Sequence, residues 1–265
     1  YSYFDTLVAT LWSTTNFTKN YPNNRKKLYL VQNYETDFYV HGDIKKVMAN
    51  RTYNFQEYFK YITISRWCQN WLKSKFGIKS KYCPNGIDLN IFRYKRKIFN
   101  KKIRILIEGN SADEYKNVDE SFAITNQLNP QKYEIWYLSY GNKPKKSYNY
   151  NKFFNNIPYN KVGKIYAKCH ILVKSSKVES FSYPPLEIMA TGGIPIVAKN
   201  GGNKEYLNEN NSILYEQGNI SEAVKQIKNI VKNKTLREKI LSEGQKTVKK
   251  RAWENIENRI ISLYK

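Results

Sequence analysis

Two glutamates spaced i, i+8, Glu179 and Glu187, lie in the stretch of this chain best suited to chemistry. It reads Ser175-Ser176-Lys177-Val178-Glu179-Ser180-Phe181-Ser182-Tyr183-Pro184-Pro185-Leu186-Glu187. The stretch follows an apolar run that reads as a strand, and a helix-forming run, Leu186 to Ala190, closes it. Proline is favoured in the first helical turn, which places the helix start near Pro184 or Pro185. The first N–H groups of a helix lack internal partners, so such a start suits a phosphate or diphosphate. Glu187, in the first turn, is then placed to accept from a ribose attached to that phosphate. Glu179, at the strand end, reaches the opposite side of the ligand. A structural explanation competes: the helix dipole favours an acidic side chain in a first turn by about 0.3 to 1 kcal/mol. The flanking pattern favours a ligand site. Gly192-Gly193-Ile194-Pro195-Ile196-Val197-Ala198 gives a turn and a buried strand, and Asn200-Gly201-Gly202-Asn203-Lys204-Glu205 gives a loop whose glycines let backbone approach a ligand closely.

These residues need a scaffold, and the rest of the chain supplies an α/β one. Thr6–Thr10, Lys27–Gln32, Tyr61–Ser65 and Lys79–Cys83 are short apolar strings rich in β-formers and read as buried strands. Trp67–Phe76 reads as a helix capped by Ser65 and stopped by Gly77. Strand, helix and strand in close order signal a parallel sheet. After the turn cluster Pro84-Asn85-Gly86-Ile87-Asp88 and a basic linker, Arg93–Lys102, the pattern restarts. Ile103–Ile107 is a strand, followed by a loop at Gly109-Asn110 and a helix over Val118–Leu128. Tyr133–Leu138, His170–Val173 and Ile194–Ala198 are further strands, with helices between them. Asn219-x-x-Glu222 and Thr235-x-x-Glu238 read as capping boxes opening two helices. A last helix, Ala252–Tyr264, carries Trp253, Ile256 and Ile260 on one face. In such sheets ligands bind beyond the carboxyl ends of the strands, and a cleft between two units is the default pocket.

Composition bounds the partners. The 265 residues carry 45 Lys and Arg against 22 Asp and Glu, a net charge of +23. That charge is compatible with nucleic acid, anionic lipid headgroups or phosphorylated small molecules. The lysines are scattered rather than clustered, and Lys, Asn, Tyr and Ile are abundant together, so a compositional bias accounts for them and nucleic acid is not expected. No apolar run approaches the roughly 20 residues that span a bilayer, and no leader pattern opens the sequence. Cys68, Cys83 and Cys169 form neither an even set nor a CxxC pair, which argues against a disulfide framework or a zinc site and fits a reducing compartment. Glu35-x-Asp37 is the one acidic pair that resembles a metal-binding motif, and pairs of this kind are common by chance. The aromatics Tyr53, Phe55, Tyr58, Phe59, Tyr61, Trp67 and Trp71 are expected in core and interface, and His170 is expected to pack beside its strand.

Over about Lys164 to Lys250 the chain resembles glycosyltransferase family 4, the retaining nucleotide-sugar transferases of GT-B fold. Glu179 and Glu187 match the family's E-x7-E motif, within the ordered strings E-S-F-S-Y-P-P-L-E, M-A-T-G-G-I-P-I-V-A and G-G-N-K-E-Y. Asn85-Gly86-Ile87-Asp88 with Phe92 looks like the family's junction between domains. Tyr29–Glu35 and Ile64–Trp67 look like the end of the N-terminal domain in a subgroup of bacterial rhamnosyl and polysaccharide transferases.

The resemblance implies two Rossmann-like parallel-sheet domains facing a cleft. Residues 1–92 would be an acceptor-side domain, 93–250 a donor-binding domain, and 251–265 a helix crossing back. Fewer strands fit before Phe92 than a whole domain of that kind carries, so an incomplete N-terminal domain is expected. By the same resemblance Glu187 binds the donor ribose and Glu179 the transferred sugar, while the backbone of Phe181 and Ser182 holds the diphosphate. Lys116 neutralises the leaving diphosphate, Gly201 and Gly202 border the sugar, and the nucleobase lies near Tyr137–Ser139. Gly109 opens the loop in which the family often carries an arginine; here Asn110 stands in its place. The implied activity is metal-independent transfer of a hexose with retention, from a nucleotide sugar to a glycan or lipid-linked acceptor in bacterial surface polysaccharide synthesis. No cofactor is implied, and the implied location is cytoplasmic, peripheral at the inner face of an anionic membrane. Two other readings of the chain are a degenerate nucleotide-sugar-binding module without turnover and a basic nucleic-acid-binding protein.

Overall fold

The computed structural model describes residues 1–265. Its contacts divide the chain into two units, Tyr1–Asn85 with Glu254–Lys265, and Gly86–Trp253. Each is built on a parallel sheet.

In the first unit the elements run β1 (Phe4–Ala9), α1 (Trp12–Asn20), β2 (Asn24–Val31), α2 (Ile44–Thr52), β3 (Lys60–Thr63), α3 (Arg66–Phe76) and β4 (Lys81–Tyr82). The strands lie in chain order, with Val8 opposite Leu28, Tyr29 opposite Tyr61 and Ile62 opposite Lys81. Parallel neighbours require a crossover, and each gap holds a helix. Tyr29, Tyr53, Tyr61, Trp71 and Leu72 fill the core. Its phenols stay satisfied: the Tyr61 hydroxyl donates to the Thr52 carbonyl at 2.9 Å, and the Tyr53 hydroxyl accepts from the Glu35 N–H at 3.0 Å. The Ser65 hydroxyl caps α3 by accepting from the Cys68 N–H at 3.2 Å, and Gly77, at φ 67°, ends it.

Helix α1 is made of Thr- and Asn-rich sequence that does not favour helix on its own. Its start is held by Glu35 Oε2, which accepts from the Trp12 N–H at 2.6 Å, and by Thr14 Oγ1, which accepts from the N–H groups of Thr10 and Leu11. Glu35 is therefore buried as a helix cap rather than offered with Asp37 to a metal, and burial pushes its carboxyl up to about 7.

The second unit runs β5 (Ile103–Glu108), α4 (Val118–Thr125), β6 (Tyr133–Ser139), β7 (Lys152–Asn155), α5 (Tyr159–Tyr166), β8 (Ile171–Lys174), α6 (Tyr183–Ala190), β9 (Ile194–Ala198), β10 (Ile213–Tyr215), α7 (Ile220–Lys232) and α8 (Lys234–Lys250). Its parallel strands lie in the order β7-β6-β5-β8-β9-β10. The chain starts in the middle at β5, winds outward to β7, returns to β8 and winds outward the other way. This is the doubly wound Rossmann order, and the winding reverses between β5 and β8. The strands are apolar on both faces because helices cover both, and Ile103, Ile105, Ile107, Ile171, Val173, Ile194 and Ile196 are all buried.

The segment Arg93–Lys102 has no regular structure, yet it is strapped to this unit. Lys95 N–H donates to the Thr191 carbonyl at 3.3 Å, and the Lys97 ammonium caps the carbonyls of Tyr166 and Ala167 at the end of α5. His170 Nδ1 accepts from the Arg104 N–H at 3.0 Å, and its Nε2 lies 3.2 Å from the Ile98 carbonyl. His170 is thus a packing and tethering residue. Asn219 caps α7 as expected, accepting from the Glu222 N–H at 3.1 Å. The cap of α8 is Asn233, which accepts from the Leu236 N–H at 3.0 Å; Thr235 and Glu238 lie inside the helix. Helix α9 (Trp253–Tyr264) enters the first unit, where Thr6 Oγ1 donates to the Tyr264 carbonyl at 3.1 Å and Lys26 Nζ to the Leu263 carbonyl at 3.2 Å. No helix is long and apolar enough to cross a membrane.

Candidate functional site

The reversal of winding in the second unit sets two strand ends side by side. Ile107 pairs with Val173, so Glu108 and Lys174, the last residues of β5 and β8, emerge next to each other. Lys174 Nζ donates to Glu108 Oε2 at 2.7 Å and lies 3.6 Å from Glu179 Oε1. Lys116, on the 3-10 turn Glu114–Lys116, donates to that same Glu179 oxygen at 3.0 Å. Two carboxylates and two ammonium groups thus alternate in one cluster. Lys174 is only 1% exposed. A buried ammonium is tolerated when carboxylates flank it closely, and removing one partner of such a cluster is strongly destabilising. Burial works against the charge of Lys174, but Glu108 and Glu179 outweigh it and hold the lysine above its ordinary value. Burial likewise pushes the Glu179 carboxyl up, yet Lys174 and Lys116 outweigh it and hold the group below the usual carboxylate range.

Glu187 is the opposite case. It sits within α6, almost every residue of which is buried. Burial pushes its carboxyl up to about 8; a hydrogen bond from the Tyr166 hydroxyl works against that rise and the charge of Glu108 adds to it. At neutral pH Glu179 is ionised and Glu187 largely protonated. Carboxyl groups whose surroundings drive them apart in this way are a mark of functional sites.

The head of α6 corrects two expectations. Glu187 is the fifth residue of the helix and lies past its first turn. The helix begins at Tyr183, so Pro184 and Pro185 fill the next two positions and carry no N–H. The start of α6 therefore offers fewer backbone N–H donors to an anion than a full helix start would. The prolines also deprive the Ser182 hydroxyl of the N–H groups a cap would accept from, and that buried oxygen has no hydrogen-bond partner. The turn is held firmly all the same. Tyr206 donates to the Ser182 carbonyl, and the Phe181 ring packs on Tyr183 and Tyr206 at 5.1 Å each. The Arg251 guanidinium lies over the Phe181 ring at 5.2 Å.

The opposite wall comes from β5 and β6. Gly109, at φ 146°, turns the chain out of β5, and a Cβ there would meet Val118 at 3.0 Å. Asn110, next in the chain, supplies no cation. Its Oδ1 accepts from the N–H groups of Ala112 and Asn142, each at 3.2 Å, and its side chain fills the space over Gly141. It stitches the loop after β5 to the loop after β6. Ser139, fully buried at the end of β6, accepts from the Gly141 N–H at 3.2 Å. The Tyr137 ring points into the core, with its hydroxyl donating to the Gly109 carbonyl at 2.9 Å. The Lys116 turn is joined to the Glu179 loop by Lys177 N–H, which donates to the Tyr115 carbonyl at 2.7 Å.

Gly202 has a role at this site in addition to any it has toward a ligand. A Cβ on it would lie 1.9 Å from the Glu179 carbonyl oxygen, so its bare Cα forms the seat on which the Glu179–Ser180 backbone rests. Asn200 Nδ2 donates to the Ser176 carbonyl at 3.0 Å and fixes that loop to the same stretch. Gly201 is exposed beside it. No three His, Cys, Asp or Glu side chains gather so as to hold a metal ion.

The structure thus brings Glu179 and Lys116 into contact across 63 positions of chain and places Phe181, Ser182 and Gly202 in the walls of the same site. Sequence reasoning missed Lys174 and Glu108. Their signal was a charged residue closing each of two otherwise apolar strand runs, Ile103–Ile107 and Ile171–Val173.

Comparison with known proteins supplies a family. Residues 91–247, more than half of the chain, match the family model described as glycosyl transferases group 1. The chain is 21% identical over 262 residues to the O-antigen biosynthesis protein RfbC of Myxococcus xanthus, covering 97% of this chain and 20% of that protein. It therefore spans about a fifth of the length of that curated relative. Among solved structures it is similar to sucrose-phosphate synthase from Thermosynechococcus elongatus, with a TM-score of 0.80 at 16% identity over 98% of this chain and 73% of that one. It is also similar to Anabaena HepE in complex with UDP and glucose, with a TM-score of 0.78 at 16% identity over 98% and 77%. At such identities the structures speak for the fold.

Proposed function

This chain belongs to the glycosyl transferases group 1 family, and from that premise we propose that it moves a hexose from a nucleoside-diphosphate donor to a glycan or lipid-linked acceptor, with retention of anomeric configuration. The observation that carries this reading is the cluster at the reversal of the sheet: Glu179 bonded to Lys116 at 3.0 Å, with Lys174 and Glu108 behind it. The printed names of relatives support it. HepE holds UDP and glucose, and RfbC is an O-antigen biosynthesis protein, which favours surface polysaccharide as the product.

In this reading the ribose hydroxyls meet Glu187 and the diphosphate meets the backbone of Phe181 and Ser182. Breaking the bond from the anomeric carbon to the diphosphate oxygen leaves negative charge on that oxygen. Lys116 and the backbone donors stabilise it, so the leaving charge is assigned to them rather than to a metal. The acceptor oxygen forms its bond to the anomeric carbon from the face the diphosphate leaves, and its proton passes to the departing phosphate oxygen. Glu179 accepts from a hydroxyl of the transferred sugar and places negative charge near the carbon that becomes electron-poor. Because Asn110 replaces an arginine, Lys116 carries a larger share of the leaving-group work. The charge of +23 supports peripheral attraction to anionic lipid at the cytoplasmic face.

The test is turnover of UDP-, GDP- and dTDP-sugars by the wild type, Glu179→Ala and Lys116→Ala. Loss of one donor to a developing oxyanion lowers turnover by roughly 100- to 1,000-fold. Wild-type activity equal to that of both variants would overturn the assignment.

A further inference from the structure

We propose that Lys174 is a positioning residue for Glu179: it keeps that carboxylate charged and in place when Lys116 leaves it for the incoming diphosphate. The inference rests on the reading of Lys116 as the group that meets the diphosphate. In the structure Lys116 is occupied, 3.0 Å from Glu179 Oε1. To reach a phosphate it must give up that partner, and its side chain, 23% exposed, has solvent to move through. Glu179 cannot follow, since it is buried and its backbone rests on Gly202. Its carboxylate would then be stranded out of water, where an unpaired acid takes up a proton.

Lys174 prevents this. It reaches the same Oε1 at 3.6 Å and is held from behind by Glu108 at 2.7 Å, with no solvent route by which to leave. The cluster therefore has one mobile cation and one fixed cation on a single oxygen. Departure of Lys116 leaves Glu108, Lys174 and Glu179 with one net negative charge, beside the sugar carbon that turns electron-poor. Lys174 touches neither donor nor acceptor and acts through Glu179. The groups facing Glu179 are Lys116 and Tyr115 from the turn after β5, Lys174 from β8 with Glu108 of β5 behind it, the Ser176 hydroxyl from the loop after β8, and Tyr206 from the segment after the two-glycine loop.

The experiment is a pH titration of the Glu179 side-chain carboxyl carbon by NMR on 13C-labelled protein, with the signal assigned by its loss in Glu179→Gln. Lys116→Met mimics the departed lysine, and Glu179 in it should stay ionised through pH 6. The variant Lys116→Met/Lys174→Met/Glu108→Leu also removes the fixed cation, together with the carboxylate that would otherwise be orphaned. There Glu179 should titrate more than one pH unit higher than in Lys116→Met. If that variant does not fold, Lys116→Met/Lys174→Gln/Glu108→Gln keeps a neutral hydrogen-bonding pair and should show the same rise. Coincident titration curves in Lys116→Met and in the variant lacking Lys174 would overturn the proposal, leaving Lys174 as a counter-ion to Glu108 alone. A Glu179→Gln variant with full transfer activity would instead overturn the functional reading and leave the titration result standing.

Discussion

Replacing Glu187 by Gln tests the electrostatics of the site without requiring a substrate. The carboxyl is pushed from its ordinary 4.5 up to about 8 by burial, with the charge of Glu108 adding to the rise. The folded protein therefore holds this proton over a pH range in which the unfolded chain has lost it. Between pH 4.5 and about 8 the native state binds more protons than the unfolded state, so stability falls as pH rises and levels off above about 8. At 1.36 kcal/mol per pH unit the whole penalty is about 5 kcal/mol, most of which develops above pH 5.5. Glu187→Gln keeps the shape and abolishes the titration. Relative to wild type, the variant should gain about 3 kcal/mol more stability at pH 9 than at pH 5.5. Urea unfolding followed by the fluorescence of Trp136, buried in β6 of this unit, measures both values. Any constant cost of the amide cancels in the comparison. A difference between the two pH values below about 0.5 kcal/mol would refute the argument, since it would mean that Glu187 titrates near its unfolded value.

Other perturbations follow from the same contacts. Gly202→Ala would place a Cβ 1.9 Å from the Glu179 carbonyl oxygen, against backbone that cannot swing aside, so the protein should lose about 1–3 kcal/mol of stability and bind nucleotide more weakly. Thermal unfolding and calorimetric titration would check this, and an unchanged melting temperature would contradict the close approach. Asn110→Ala removes the acceptor shared by the N–H groups of Ala112 and Asn142 and should cost about 1 kcal/mol, with faster amide exchange at both positions. Tyr166→Phe deletes the hydroxyl that works against the rise of Glu187, so the pH above which stability stops falling should move up from about 8; an unmoved profile would mean that the bond contributes nothing.

Much of the architecture can be read from local pattern. The strand runs Ile103–Ile107, Tyr133–Leu138 and Ile194–Ala198 have the length and apolar content of buried parallel strands, and each forms one. Helix α3 declares itself through Ser65 and Gly77, which act at the positions their side chains suit. Helix α1 is less legible, because its Thr- and Asn-rich sequence does not favour helix and one of the bonds at its start comes from Glu35, more than twenty residues away. Strand β7, four residues in an Asn- and Tyr-rich stretch, forms by pairing Phe153 with Tyr137 in β6 and carries no pattern of its own. The site divides in the same way. Glu179, Glu187 and the turn between them are contiguous and legible, whereas the lack of N–H groups at Pro184 and Pro185 follows from the helix starting one residue earlier, at Tyr183. The partnership of Glu108 with Lys174 depends on which two strands lie together at the reversal of winding, and spacing along the chain does not reveal it. The role of Asn110 as a bridge between two loops depends on Asn142, which is distant in the chain, and is not legible from its own position.

The measurement that bears most directly on the central claim is a thermal-shift screen of the wild type, Lys116→Ala and Glu187→Ala against UDP, GDP and dTDP and their sugars, with the corresponding monophosphates as controls. A ligand present at 100 times its dissociation constant stabilises by about 2.7 kcal/mol, which is readily detected. The account predicts that one diphosphate series raises the wild-type melting temperature, that its monophosphate does so less, and that both variants lose the shift. A wild type that responds to none of them, or variants that respond as fully as the wild type, would contradict it.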